Sequence, residues 1–262
     1  MTIAEFPYVK KREITSGTKE WADYNVNCIK GCSNDCRYCY AKIMAKRFHR
    51  CKEDTWKTMV INENAILKNY GKYKGRVMFP STHDITDDPS VLNACVIVIN
   101  KLLISGNEVL ITTKPSLSVI KSIVKKFNTF KDQIQFRFTI TSCDNYLLSF
   151  WEPNAPSYED RFESLKYSYE NGFKTSVSIE PFLDTSPQNL VYKLSEYTSE
   201  SIWLGPMNYI SRNGIKSEDE IQYSSIRLKY EYSNLCRIFK DLHDFNKIKF
   251  KDSFLHRIND VK

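Results

Sequence analysis

Gly31-Cys-Ser-Asn-Asp-Cys-Arg-Tyr-Cys-Tyr40 places Cys32, Cys36 and Cys39 in one short loop, with three residues in the first gap and two in the second. No fourth cysteine follows nearby. Thiolates are the usual ligands of iron–sulfur clusters, and a [4Fe–4S] cube takes one ligand per iron. Three ligands therefore leave the fourth iron open to a small molecule. A structural zinc site asks for the opposite, four protein ligands and a closed shell. Zinc binding and a redox dithiol are the alternatives to a cluster.

The surrounding chain has 262 residues, enough for one large domain or a domain with a short appendage. Hydrophobic residues at 42% and aromatics at 13% supply a core, and charged residues at 26% are ordinary for a soluble protein. No apolar run reaches the roughly 18 residues of a membrane span. The start, Met1-Thr-Ile-Ala-Glu-Phe-Pro7, lacks the basic and apolar regions of a secretory signal. Eight cysteines would suggest a disulfide scaffold only in a short secreted chain. Here they crowd in one loop and otherwise scatter, as at Cys51, Cys95, Cys143 and Cys236, which points to a reducing cytoplasm. The net charge of +7 suits solubility or a phosphate-bearing partner. Lys42, Lys46, Arg47, His49, Arg50 and Lys52 follow the cysteine loop, and on a helix 42, 46, 49 and 50 share one face. A solvated face is the favoured reading of that run over a nucleic-acid surface.

Short β-rich runs at 23–28, 75–80, 108–113, 135–141, 174–180 and 201–205 alternate with helical patterns at 40–50, 89–105, 116–127, 157–171 and 187–197. Gly106 and Gly172 stand where helices stop, and Pro89 and Pro187 where helices start. Strands alternating with helices predict an α/β fold with a parallel sheet and helical crossovers. Residues 1–20 read as a polar N-terminal arm and 21–212 as the main domain. Residues 213–262 read as a C-terminal helical extension, with a helix over 217–242 and a basic tail.

Cys-x3-Cys-x2-Cys with an aromatic residue before the last cysteine, here Tyr38, resembles the signature of the radical S-adenosylmethionine (SAM) enzymes. The resemblance implies a partial (β/α)6 TIM-like barrel with the cysteine loop after its first strand. It also implies a [4Fe–4S] cluster whose open iron takes the amino and carboxylate groups of SAM. An electron, supplied by a donor such as flavodoxin or ferredoxin, then splits SAM into methionine and a 5′-deoxyadenosyl radical. Sites in such barrels lie at the carboxyl ends of the strands.

The second strand ends in Ser81-Thr-His-Asp84, where many radical SAM enzymes carry a Gly-Gly-Glu-like segment for the SAM amino group. Ser81, Thr82 and loop carbonyls are expected to replace it; the alternative is a capping turn. The third strand ends at Lys114, well placed to meet a carboxylate. Alternation along the fourth strand sends Arg137, Thr139 and Thr141, or their neighbours, inward. Thr113-Lys114, Ser142-Cys-Asp144, Glu152-Pro-Asn-Ala-Pro156, Arg161 and Ser176-Val-Ser-Ile-Glu-Pro181 resemble, in that order, the spore photoproduct lyase-like branch. The likeness covers about residues 17–208.

That resemblance implies Lys114 as the SAM carboxylate contact and Thr141 or Ser142 as the ribose contact. Tyr40 is placed beside adenine, and Asn208 near adenine or substrate. Arg161 joins the cofactor-binding set, although a structural ion pair with Glu152 is the slightly favoured reading. The true lyase returns a hydrogen atom from a cysteine near the end of its second strand, and this chain has none there. Cys143 is the catalytic candidate left, against the usual fate of an isolated cysteine, which is packing. Repair of spore-specific thymine dimers is not supported.

Tyr38, Trp151, Trp203 and Tyr209 suit stacking on bases, with core packing as the default for the larger rings. The four histidines show no metal-ligand spacing, and no phosphate-cradling glycine loop is present. The expected function is a cytoplasmic enzyme that abstracts hydrogen from a nucleic acid or nucleotide. A peptide or small metabolite is the alternative substrate, and a non-catalytic zinc or iron–sulfur nucleic-acid-binding protein the alternative class.

Overall fold

The computed structural model describes residues 17–51, 55–210 and 215–259. Most of the expected N-terminal arm, Lys52 and the last residues of the basic tail lie outside these. A 3-10 turn at Gly17–Glu20 leads into β1 (Tyr24–Asn25), β2 (Ile29–Lys30), α1 (Tyr40–Arg47), β3 (Val60–Ile61) and α2 (Glu63–Leu67). Next come β4 (Val77–Phe79), α3 (Pro89–Ile104), β5 (Val109–Thr113), α4 (Leu117–Phe127) and β6 (Ile134–Thr139). Then follow α5 (Asn145–Trp151), α6 (Tyr158–Glu170), β7 (Lys174–Ile179), α7 (Gln188–Ser195) and β8 (Ile202–Leu204). The chain ends with α8 (Glu220–Lys229), α9 (Tyr232–Leu242), β9 (Ile248–Phe250) and α10 (Asp252–Asn259).

Seven strands form one sheet in the order β1-β4-β5-β6-β7-β8-β9, and every pairing in it is parallel. β1 and β9 are its edges, so the expected partial barrel is present and open. β2 and β3 make a separate antiparallel pair beside the cysteine loop.

Alternation gives the sheet two different faces. Val77, Phe79, Ile111, Phe136, Val177, Ile179 and Leu204 point outward and join Ile99, Ile120, Leu165 and Leu194 of the helices in one core. The alternate positions, among them Met78, Leu110, Thr112, Gln135, Arg137, Ser176 and Trp203, line the concave interior. One face therefore holds the fold together while the other carries polar side chains.

Local signals set the helix ends. Asp88 caps α3 by accepting from the Ser90 and Val91 amides, ahead of Pro89 in the first turn. Gly106 and Gly172, both at φ +77°, close α3 and α6 in the left-handed conformation that glycine adopts without strain.

The helix expected over 217–242 is two helices. Tyr230 is 5% exposed, packs edge-on against Phe182 and donates to the Phe182 carbonyl at 2.6 Å. Glu231 after it is extended (φ −67°, ψ 149°), so α8 ends and α9 starts afresh. The C-terminal stretch, expected as helical, also supplies β9 as a seventh strand. The basic face is shorter than expected as well. α1 ends at Arg47, and His49 at φ +52° turns the chain away, so positions 49 and 50 leave the face of 42 and 46. Among the described residues no helix is long and apolar enough to cross a membrane.

Candidate functional site

The cysteine loop begins at Gly31, whose φ of +88° suits glycine. A Cβ there would lie 2.3 Å from the Thr58 carbonyl oxygen and 2.6 Å from that of Trp56. That close approach lets the Cys32 amide donate to Trp56 O at 2.9 Å. Asp35, at φ +45°, is held by Lys42 Nζ at 2.6 Å and Lys57 Nζ at 3.4 Å. Cys39 is the N-cap of α1, its Sγ accepting from the Lys42 amide at 3.4 Å. All three cysteines are free thiols; Cys32 and Cys36 are buried and Cys39 is half-buried.

The ends of β4, β5 and β6 bring a charged group against this loop. From the β4 end, the Asp84 carboxylate accepts from Asn34 Nδ2 (2.8 Å), Thr113 Oγ1 (2.9 Å) and the Lys114 amide (2.6 Å). Cys32 Sγ also donates to it, at 3.6 Å. Burial pushes the Asp84 pKa up, but Lys114 and these hydrogen bonds outweigh it and hold the carboxyl below its ordinary range. From beyond β6, Glu152 pairs with Arg161 Nη2 at 2.5 Å, both side chains fully buried. Glu152 also accepts from Thr141 Oγ1 at 2.8 Å and from the Tyr38 hydroxyl. Burial again pushes the carboxyl up, and Arg161 and Lys114 overcome it.

Lys114 stands between the two carboxylates. Burial works against its charge, but Cys36, Glu152 and Asp84 prevail and hold the ammonium above the usual lysine range. Among the described residues its Nζ has no hydrogen bond or ion pair, and the centroid of the Tyr38 ring lies 5.6 Å from it. Burial pushes the Cys36 thiol up, opposed by Lys114, and raises Cys32 to about 12 with help from Asp84.

The other expected residues divide. The Tyr40 hydroxyl donates to Ser81 O at 2.6 Å. Ser81 and Thr82 are fixed by Asn27, whose Oδ1 accepts from both amides at 2.7 and 2.9 Å. Asn208 Nδ2 donates to Glu180 Oε1 at 3.2 Å. Thr141 belongs to the Glu152 group, whereas Ser142 donates instead to Asp184 Oδ1 at 2.5 Å. Arg161 is enclosed by its ion pair and by Pro156 O, 2.8 Å from Nε. Cys143 is exposed, and its electrostatic neighbours are Asp184, Lys193 and Asp144, none of them in the cysteine group. Trp151 is 2% exposed and packs on Phe150 and Tyr223, the structural alternative. Asn27 lies outside the motifs read from the sequence, and Asn34 and Glu180 lie inside quoted motifs without a role of their own; a polar side chain just past a strand is the signal they share.

Three thiols of one loop, beside a lysine ammonium without a partner among the described residues, fit a cluster that leaves one iron for a carboxylate-bearing ligand. Among the described residues no three His, Cys, Asp or Glu side chains are grouped to share a single metal ion. A cube, which places each thiolate on a different iron, needs no such convergence.

An uncharacterized protein of Methanocaldococcus jannaschii is 32% identical over 170 residues, 62% of this chain and 61% of the relative. An uncharacterized protein of Acidianus two-tailed virus is 29% identical over 181 residues, 65% of this chain and 57% of that one. The chain thus matches less than two thirds of the length of either relative. In fold it resembles a spore photoproduct lyase variant at TM-score 0.55 and 13% identity, over 93% of this chain and 80% of the other. A spore photoproduct lyase mutant with bound AdoMet and dinucleoside spore photoproduct gives 0.53 at 13%, over 88% and 76%. Streptococcus suis SuiB bound to S-adenosylmethionine gives 0.51 at 14%, over 87% and 46%. At these identities the structures speak to the fold alone. The family model described as the radical SAM superfamily matches residues 26–185, more than half of the chain and the whole of the cysteine loop, and the protein belongs to that superfamily of iron–sulfur, SAM-using enzymes.

Proposed function

We propose that Cys32, Cys36 and Cys39 hold a [4Fe–4S] cluster, that SAM closes its fourth iron, and that the substrate is a nucleic acid or nucleotide. The observation that carries this is the Lys114 ammonium, set beside Cys36 with no partner among the described residues. Held by these thiolates and reduced by a donor such as flavodoxin or ferredoxin, a cluster would supply the electron that cleaves SAM to a 5′-deoxyadenosyl radical.

The chain's own residues bind and orient. Lys114 meets the SAM carboxylate, and the loop of Ser81, Thr82 and Asp84 receives the ammonium group. Arg161 and Thr141 position Glu152, which in turn fixes Tyr38 against the cysteine loop. Tyr40 borders the adenine, held there by Ser81 O, and Asn208 with Glu180 faces the substrate side. The net charge of +7 supports a phosphate-bearing substrate. So does the dinucleoside photoproduct held by one of the solved structures that the chain resembles in fold. A cytoplasmic setting is consistent with a reduced cluster.

Two measurements test this. Anaerobic reconstitution should give about four irons and four sulfides per chain; two of each would sink the cube. Filter binding of single-stranded DNA, RNA and mononucleotides over a salt series should show salt-sensitive retention of at least one class. Indifference to all of them would exclude the nucleic-acid and nucleotide reading.

A further inference from the structure

The concave face of the sheet buries a cation that nothing described so far uses. Arg137 is 3% exposed and belongs to a row that runs Thr112–Arg137–Ser176 across β5, β6 and β7. Among the described residues its one hydrogen bond is from Nε to Ser176 Oγ at 3.1 Å, and its Nη1 is buried with no partner. No carboxylate of the described residues lies within ion-pair distance of it; the nearby Glu20 and Glu180 are taken by Lys251, at 2.7 and 3.7 Å. Two rings flank the guanidinium instead, Trp21 with its centroid at 4.8 Å and Trp203 at 5.4 Å. Burial and Arg76 pull the Arg137 pKa down to about 9, against Glu180 and Glu20, so the group keeps its charge at neutral pH.

Two further groups in this interior are buried without a partner among the described residues, Thr112 Oγ1 and Trp21 Nε1. All three orphans can donate. A buried donor left unsatisfied costs about 1–3 kcal/mol, more when charged, so one such group is a local accident and three gathered about one arginine, its own Nη1, its row neighbour Thr112 and the Trp21 ring against it, ask for an acceptor. β5 and β6 pair Thr113 with Phe138, which puts Arg137 about 7 Å deeper than the level of Lys114. An acceptor there would sit beneath the SAM site.

We infer that Arg137, with Thr112, Trp21 and Trp203, anchors an oxyanion of the substrate, a carboxylate or a phosphate, inside the barrel. The inference rests on the radical SAM reading of the same barrel and narrows its substrate to one bearing such a group. Arg137 supplies the charge and a planar donor edge. Thr112 and the Trp21 indole supply further donors, and the two rings close the sides.

The test uses the cluster-loaded enzyme under anaerobic conditions and reads tryptophan emission, since Trp21 and Trp203 border the guanidinium. Sodium phosphate and sodium acetate are titrated separately against sodium chloride at fixed ionic strength. A saturable response to phosphate identifies a phosphate anchor, and one to acetate a carboxylate anchor. Arg137→Gln should weaken the response about tenfold or more. Thr112→Val, which keeps the shape and loses the donor, should weaken it several-fold and serves if Arg137→Gln fails to fold. No saturable response to either anion, or unchanged affinity in the variants, overturns the anchor. Formation of 5′-deoxyadenosine in the same samples separates the two claims: if it persists without an anion response, the anchor fails and the radical chemistry stands.

Discussion

Replacing Arg161 with leucine should destabilise the protein before any cofactor is considered. The Arg161 and Glu152 side chains are both fully buried and 2.5 Å apart, so the substitution strands a carboxylate in the interior. Breaking a buried pair from one side costs about 3–5 kcal/mol. Tyr38, Thr141 and Lys114 still support Glu152, which puts the expected loss near the lower end, about 3 kcal/mol. For a domain of this size each kcal/mol moves Tm by about 2–4 °C, so the melt should fall by about 6–12 °C. The assay is circular dichroism melting of cluster-free protein in reductant. Glu152→Leu alone should also lower Tm, and the double variant should melt above at least one single, because a buried pair exchanged for apolar groups is nearly neutral. A single Arg161→Leu variant within about 2 °C of wild type would refute the assignment of this pair as the brace of the site.

Three further outcomes follow from the geometry. Gly31→Ala forces a Cβ to 2.3 Å from Thr58 O at φ +88°, so iron incorporation on reconstitution should fall sharply; normal iron content would show that the loop tolerates the shift. Lys114→Met removes a charge-assisted contact worth about 1.5–3 kcal/mol, so SAM binding by equilibrium dialysis should weaken about 10- to 150-fold; iron content should hold, and unchanged SAM affinity would remove Lys114 from the site. Burial holds the Glu180 carboxyl above its ordinary range in spite of Lys251. The folded state therefore binds that proton more tightly than the unfolded one. Its contribution to stability is full below the unfolded pKa of about 4.3 and is lost as pH rises through the folded value. The stability of wild type relative to Glu180→Gln should fall over that window in denaturant titrations, and a flat or rising difference would contradict the assignment.

What the sequence reveals depends on how strongly a residue's neighbours constrain it. β5, β6 and β7 are legible because five or six residues alternate with an apolar face, and their helices because Pro89, Gly106, Gly172 and Pro187 punctuate them. β2, β3 and β9 are two or three residues long and lie outside the β-rich runs that mark the equally short β1, β4 and β8, and they form because tertiary pairing selects them. The break at Tyr230 is set by the Phe182 carbonyl, which is far away in the chain. The cysteine loop is legible because its ligands are adjacent, and Lys114 because it ends a strand. Asp84 in Ser81-Thr-His-Asp84 reads equally as a turn, and only the fold shows Asn34, Thr113 and the Lys114 amide converging on it. The direction of Ser142 and Cys143, beyond the last paired residue of β6, is outside what strand alternation can decide.

Cys32, Cys36 and Cys39 are proposed to support cleavage of SAM. Protein reconstituted with iron and sulfide without oxygen, then reduced in the presence of SAM, should release 5′-deoxyadenosine, measured by liquid chromatography. Cys36→Ala, prepared identically, should release none. Equal 5′-deoxyadenosine from the variant, or none from the wild type at full iron content, would contradict it.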